Sequence, residues 1–176
     1  MRETSDLTET NPEGQTARIV FLIAALASPR AARRHDARLA LEAIGNPAVG
    51  HLIQGLGDMK NEVRSEAIRA LGNIGDAEAV PALIRELEDE SSACRWLAAE
   101  SLATIGAASL APLLELLAEG VDSFEVRRGV LHVLHALEPV RPTLLGPVLA
   151  AFQSDVPEIA IRGAASTALV ELEAHP

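Results

Sequence analysis

An arginine stands at the same place in five copies of one segment, at Arg34, Arg64, Arg95, Arg127 and Arg162, separated by 30, 31, 32 and 35 residues. A chain that repeats itself at this period is built from stacked units, because each unit is too small to bury an apolar face alone. The fullest copy reads Val63-Arg64-Ser65-Glu66-Ala67-Ile68-Arg69-Ala70-Leu71-Gly72-Asn73-Ile74-Gly75. In it Val63, Ala67, Ala70, Leu71 and Ile74 project within about 50° of one direction when each residue turns by about 100°. Each copy is therefore an amphipathic helix.

Shorter apolar segments with the same period lie between the copies, at 19–26, 49–56, 80–87, 110–117 and 144–152. They supply partner helices, giving ten helices in five antiparallel pairs. Turn residues separate them: Gly45-Asn46-Pro47, Gly75-Asp76, and Asp58, Ser91, Asp122 and Asp155 where a helix start needs a side-chain acceptor. Gly45, Gly75 and Gly106 allow a helix to end in a left-handed turn without steric cost. The expected fold is all-α, a right-handed α-solenoid of about five helical hairpins sharing one core.

The repeated arginine has a structural explanation. Five to seven residues before each copy stands an acid or a cap residue, namely Ser28, Asp58, Asp89, Asp122 and Asp155. Such pairs can bridge neighbouring repeats as a ladder of charge-assisted hydrogen bonds, whereas a catalytic residue has no reason to be copied into every repeat.

Composition excludes several functions. Aromatic residues make up 2% of the chain (Phe21, Trp96, Phe124 and Phe152), too few for a base-stacking platform. The 25 acidic against 15 basic residues give a net charge of −10, which repels phosphate backbones and anionic lipid at long range. Neither nucleic acid nor a membrane is expected as a partner. The longest apolar stretch, Ile19 to Ala27, is nine residues, about half of a bilayer span. Cys94 is the single cysteine, so an intramolecular disulfide is excluded, as suits a reducing cytosol. Residues 1–14 are polar and acidic where a secretion signal needs a basic start and an apolar run. The expectation is a cytoplasmic chain with a disordered acidic tail over 1–15 and a single solenoid domain over 16–176.

The pattern of Val63 to Asp76, followed by the Pro-bearing segment Ala79-Val80-Pro81-Ala82-Leu83-Ile84, resembles the short HEAT repeat. It is similar in particular to the variety of roughly 30 residues found in phycobilisome-lyase-like proteins. The resemblance covers about residues 16 to 173 and fades towards both ends: the fourth copy has Leu134-His135-Ala136-Leu137-Glu138 in place of Leu-Gly-x-Ile-Gly. It implies an interaction scaffold, since HEAT arrays serve mostly as binding surfaces. The alternative it implies is a bilin-lyase-type enzyme or accessory factor, for which one Trp and two or three Arg make a sparse pigment lining. Two other HEAT families fit poorly. Deoxyhypusine hydroxylase holds its di-iron centre with His-Glu pairs, and none occurs here; the DNA glycosylases of this type need a basic concave face.

With the core side of each repeated helix set by Val63, Ala67 and Ile74, the opposite side falls on Ser65, Arg69 and Gly72, which would line the concave groove. The same register gives one row of His35, Ser65, Trp96, Arg128 and Gly163, and a second of Leu39, Arg69, Glu100, His132 and Thr167. Trp96 is the expected binding anchor, with Arg69, Glu100, Arg128 and His132 around it as charged neighbours of a hot spot for a protein or acidic peptide partner. The bland alternative has the Trp96 ring capping the core.

The other candidates have scaffold explanations. His132 and His135, three residues apart on one helix, lack further ligands in register, so no metal site is expected. Cys94 takes the place of Val63 and should be a buried hydrophobe. The acidic run of residues 86–90 reads as a solvated helix end without calcium-loop spacing. No phosphate loop, nucleophile elbow or zinc-protease motif occurs, so no enzyme activity and no cofactor is expected. Nothing in the sequence sets the oligomeric state.

Overall fold

The structure, a computed structural model, describes residues 12–174. Among them are ten α-helices: α1 (Pro12–Ala25), α2 (Ala31–Ile44), α3 (Val49–Gly55), α4 (Asn61–Ile74), α5 (Val80–Arg85), α6 (Ser92–Ile105), α7 (Leu110–Glu119), α8 (Phe124–Leu137), α9 (Pro142–Ala151) and α10 (Pro157–Ala174). Short 3-10 turns lead into α3, α5 and α7, and a fourth, Glu86–Glu88, follows α5. Helix α1 starts at Pro12, so residues 12–15, expected in the tail, are helical; residues 1–11 of that tail lie outside the described residues.

The fold is an all-helical solenoid whose single core runs through every repeat, with Leu41, Leu71, Leu102 and Leu134 buried at equivalent places in α2, α4, α6 and α8. These four helices pack side by side, most extensively between α4 and α6, while α1, α3 and α5 each back the helix that follows. Gly45, Gly75 and Gly106 end α2, α4 and α6 at φ of +73°, +76° and +79°, a region that side chains with a Cβ avoid.

The recurring arginine closes the turn before its own helix. Arg34, Arg64 and Arg95 donate through Nη1 to the carbonyls of Ser28, Asp58 and Asp89, six residues upstream, at 2.9, 2.8 and 2.8 Å. The side chains of the same three residues accept the backbone N–H two positions on, at Arg30, Lys60 and Ser91. A short polar side chain thus folds the turn, and its carbonyl fastens the turn to the helix. Arg127 uses the Val121 carbonyl at 2.8 Å, so the expected Asp122 is displaced from this role, and Ser123 caps α8 instead. Arg162 departs further: it donates to the Ala118 carbonyl of α7 and not to the Asp155 turn.

Links between repeats are uneven. Arg64 grips Asp89 of the next repeat through Nε and Nη2 at 2.6 and 2.9 Å, with both side chains buried. The equivalent contacts, Arg95–Glu125 at 3.5 Å and Arg127–Glu158 at 3.4 Å, are looser and more exposed. The acidic run at 86–90 is therefore not a simple solvated end. Hydrogen bonds from Arg64 and from the Ser91 N–H hold Asp89 below the ordinary carboxylate range, although burial opposes its charge. Glu86, half-buried beside it with Oε2 unpartnered, is pushed up to about 7 by burial and by the neighbouring Asp89.

The last two hairpins depart from regular pairing. Helix α7 packs mainly on α10, while α8 leans over α6 and the Glu86–Glu88 turn. There Gly129 approaches Leu87 so closely that a Cβ would lie 2.8 Å from Leu87 Cδ2. The departure coincides with the missing glycine: α8 ends at Glu138 with φ −52°, without the positive-φ turn of the earlier repeats. Within Ser92–Glu119 an 18-residue stretch reaches a mean hydropathy of 1.6, long and apolar enough by composition to cross a membrane. Gly106 breaks this stretch into α6 and α7, and both pack within the array.

Three outcomes follow from this packing. Arg64→Ala leaves Asp89 buried without its partner and is expected to destabilise the fold by about 3 kcal/mol, whereas Arg127→Ala, which loses the Val121 carbonyl bond and an exposed ion pair, should cost about 1–2 kcal/mol, as urea unfolding would measure. The folded chain holds Glu86 protonated up to about 7 against 4.5 for an ordinary glutamate. Its contribution to stability is complete below the lower value and is lost as pH rises through the upper one. Glu86→Gln should therefore raise the melting temperature at about pH 8 and leave it nearly unchanged at about pH 4. Gly72→Ala would set a Cβ 2.6 Å from Ser101 Cβ and 2.9 Å from its Cα, and should cost about 1–3 kcal/mol in the same unfolding experiment.

Candidate interaction site

The repeated helices carry two kinds of position opposite the core, and the structure separates them. Ser65 and Gly72 were expected on the open groove. Ser65 is instead half-buried with its Oγ 3.3 Å from Cys94 Sγ, and Gly72 is buried against Ser101. Adjacent helices overlap enough to cover a small side chain at these places. Trp96 occupies the same register as Ser65 but is far larger, and it stands clear with 53% of its surface exposed. It does not cap the core.

Two clefts meet at Trp96. One, of about 430 Å³, lies between α4 and α6 and is bounded by Arg69, Asn73 and Glu100, with Arg38 of α2 reaching in. The other, of about 300 Å³, lies between α6 and α8 and is bounded by Arg95, Glu125, Arg128, His132 and His135, with Leu87, Ala99 and Gly129 among its lining. The lean of α8 onto Leu87 shapes this second cleft. The ring of His132 sits on Trp96 with centroids 4.6 Å apart and planes tilted by 50°, and its Nε2 reaches Glu100 Oε1 at 2.6 Å. Trp96, Glu100 and His132 thus form one cluster spanning α6 and α8.

The cations differ in what they touch. Arg38 is held by Glu42, Glu66 and His35, and Arg95 by Glu125 and by the carbonyls of Asp89 and Glu90. Arg69 and Arg128 make no hydrogen bond or ion pair with the described residues. His132 and His135 turn to different partners, the latter donating from Nδ1 to the Leu131 carbonyl. Among the described residues no three His, Cys, Asp or Glu side chains gather as a metal would need. Cys94 is buried, in contact with Ser65 and the Asn61 carbonyl.

Of the residues singled out from sequence, Trp96, Arg69, Glu100, Arg128 and His132 lie along these two clefts; Arg38, Leu87, Glu125 and Gly129 line them too and were not singled out. Gly129 carried a signal. A glycine inside a helix costs about 1 kcal/mol against alanine, so one standing where other repeats have Glu66 and Leu97 marks a close approach. Nothing in the repeat pattern pointed to Leu87 as its partner.

Among curated proteins none matches the chain in sequence. A solved chain from the complex of CpcE and CpcF of phycocyanin lyase from Nostoc sp. PCC7120 is similar in fold: TM-score 0.59, 24% identity, over 87% of this chain and 98% of that one. Two designed armadillo repeat proteins align over 90% and 89% of this chain and over 93% and 92% of their own, with TM-scores of 0.41 and 0.40 at 20% and 19% identity. Residues 49–135 match the family model for HEAT repeats, the part of the chain where the glycine-punctuated pattern is fullest. That match makes the central repeats, residues 49–135, HEAT repeats, and the flanking hairpins continue the same stack.

Proposed function

We propose that this protein is a non-catalytic interaction scaffold that presents the face of α4, α6 and α8, as the concave groove of the solenoid, to a protein or peptide partner. One observation carries the reading: the only Trp of the chain is half exposed on a rigid helix, between two clefts and beside two unpaired arginines. Tryptophan and arginine dominate binding hot spots because they bury large area while keeping a polar handle. Trp96 is the anchor, Arg69 and Arg128 are the charged contacts, and Glu100 with His132 holds the ring in place. The arginines Arg34, Arg64, Arg95, Arg127 and Arg162 belong to the scaffold. The alternative of a bilin-lyase-type factor has the Nostoc chain as its support, and at 24% identity that likeness carries the fold alone.

Affinity capture from the native host's extract tests the reading, with wild type beside Trp96→Ala/Arg128→Ala and mass spectrometry as readout. A protein retained by wild type and lost with the variant is expected, while the variant's stability stays within about 1 kcal/mol because both side chains are exposed. Equal capture by both would overturn use of this face.

A further inference from the structure

We infer that the segment received by the two clefts is acidic and carries one large apolar side chain; this rests on the groove reading above and names the chemistry of its partner. The argument is one of local against global charge. The chain carries −10, yet the linings of the two clefts hold four arginines against two glutamates. Both glutamates are already engaged, Glu100 by His132 and Glu125 by Arg95. Arg38 and Arg95 are satisfied within the chain, so Arg69 and Arg128 remain to meet a ligand.

Distance decides which charge a bound segment feels. At physiological salt the screening length is about 8 Å, so carboxylates on remote faces contribute little while an arginine in contact forms charge-assisted, bidentate bonds with a carboxylate. The two free cations lie in different clefts, on α4 and α8, with the Trp96 ring on the boundary. They therefore suit a chain with separated carboxylates better than a compact anion. Between them, Trp96 and the half-buried Leu131 offer apolar surface in a cleft of about 300 Å³, room for a Phe or Leu side chain. A basic segment would meet two uncompensated arginines there and no free carboxylate.

The protein supplies its own probe, since Trp96 is its only Trp and it has no Tyr. Its emission is followed while the full chain is titrated with an array of Asp- and Glu-rich decapeptides, each bearing one Phe or Leu, and with a matched Lys-rich array. Acidic members should shift the emission saturably, with affinity falling as salt is raised. Arg69→Gln/Arg128→Gln should weaken them by about tenfold or more, with the circular dichroism spectrum unchanged because neither arginine has a partner to lose. Absence of any acidic binder, equal affinity in the Gln variant, or preference for the Lys-rich array would each overturn the inference. A partner still lost from extract with Trp96→Ala/Arg128→Ala, beside a silent acidic array, would retire the acidic preference and keep the groove. Silence in both experiments would retire both.

Discussion

The bond from a helix arginine to a carbonyl six residues upstream is the interaction on which the array depends. It fastens each turn to the helix that follows, at Arg34, Arg64, Arg95 and Arg127, with lengths between 2.8 and 2.9 Å. A hairpin of two short helices has too little apolar surface to fix its own geometry, so the angle at which one repeat meets the next has to come from the turn. Guanidinium suits this task. Its several donors let Arg64 hold the Asp58 carbonyl and the Asp89 carboxylate together, so one side chain serves both its own turn and the neighbouring repeat.

Coupling between repeats is concentrated at the centre. The Arg64–Asp89 pair is buried, α4 and α6 share the most extensive helix contact, and Gly72 lets them approach to the distance of a missing Cβ. The same burial places Glu86 where its ionised form is disfavoured, so the best-packed junction is also the one whose electrostatics respond near neutral pH. Towards the carboxyl end the links loosen and the pairing changes, with α10 taking the main contact with α7. In a quasi-one-dimensional fold each interface is local, so a change in the fourth repeat leaves the first three pairs intact.

That local change bears on function. With α8 leaning onto Leu87 through Gly129, the space between α6 and α8 becomes a cleft, and Trp96 stands at its edge with His132 against it. Regular stacking elsewhere closes the equivalent place, as at Ser65 and Cys94. The proposed face thus includes the point where the array stops repeating.

The sequence by itself determined the helices, their order, the glycine stops and the identity of the core, because these follow from a period in hydrophobicity and from turn chemistry acting over a few residues. It also singled out Trp96, Arg69, Glu100, Arg128 and His132, since a helix register predicts which residues share a side. It gave the wrong exposure for Ser65 and Gly72, and it took the run at 86–90 for a solvated helix end although it also set Asp89 among the partners of the repeated arginines. Only the tertiary structure decided those, together with which arginines were left unpaired, how α7 and α10 came together, and where a cleft opened. The physical reason is that exposure, ion pairing and pKa depend on the offset between neighbouring helices. That offset is set by contacts such as Gly72 on Ser101 and Gly129 on Leu87, made between residues 29 and 42 positions apart, and no pattern within one repeat records them.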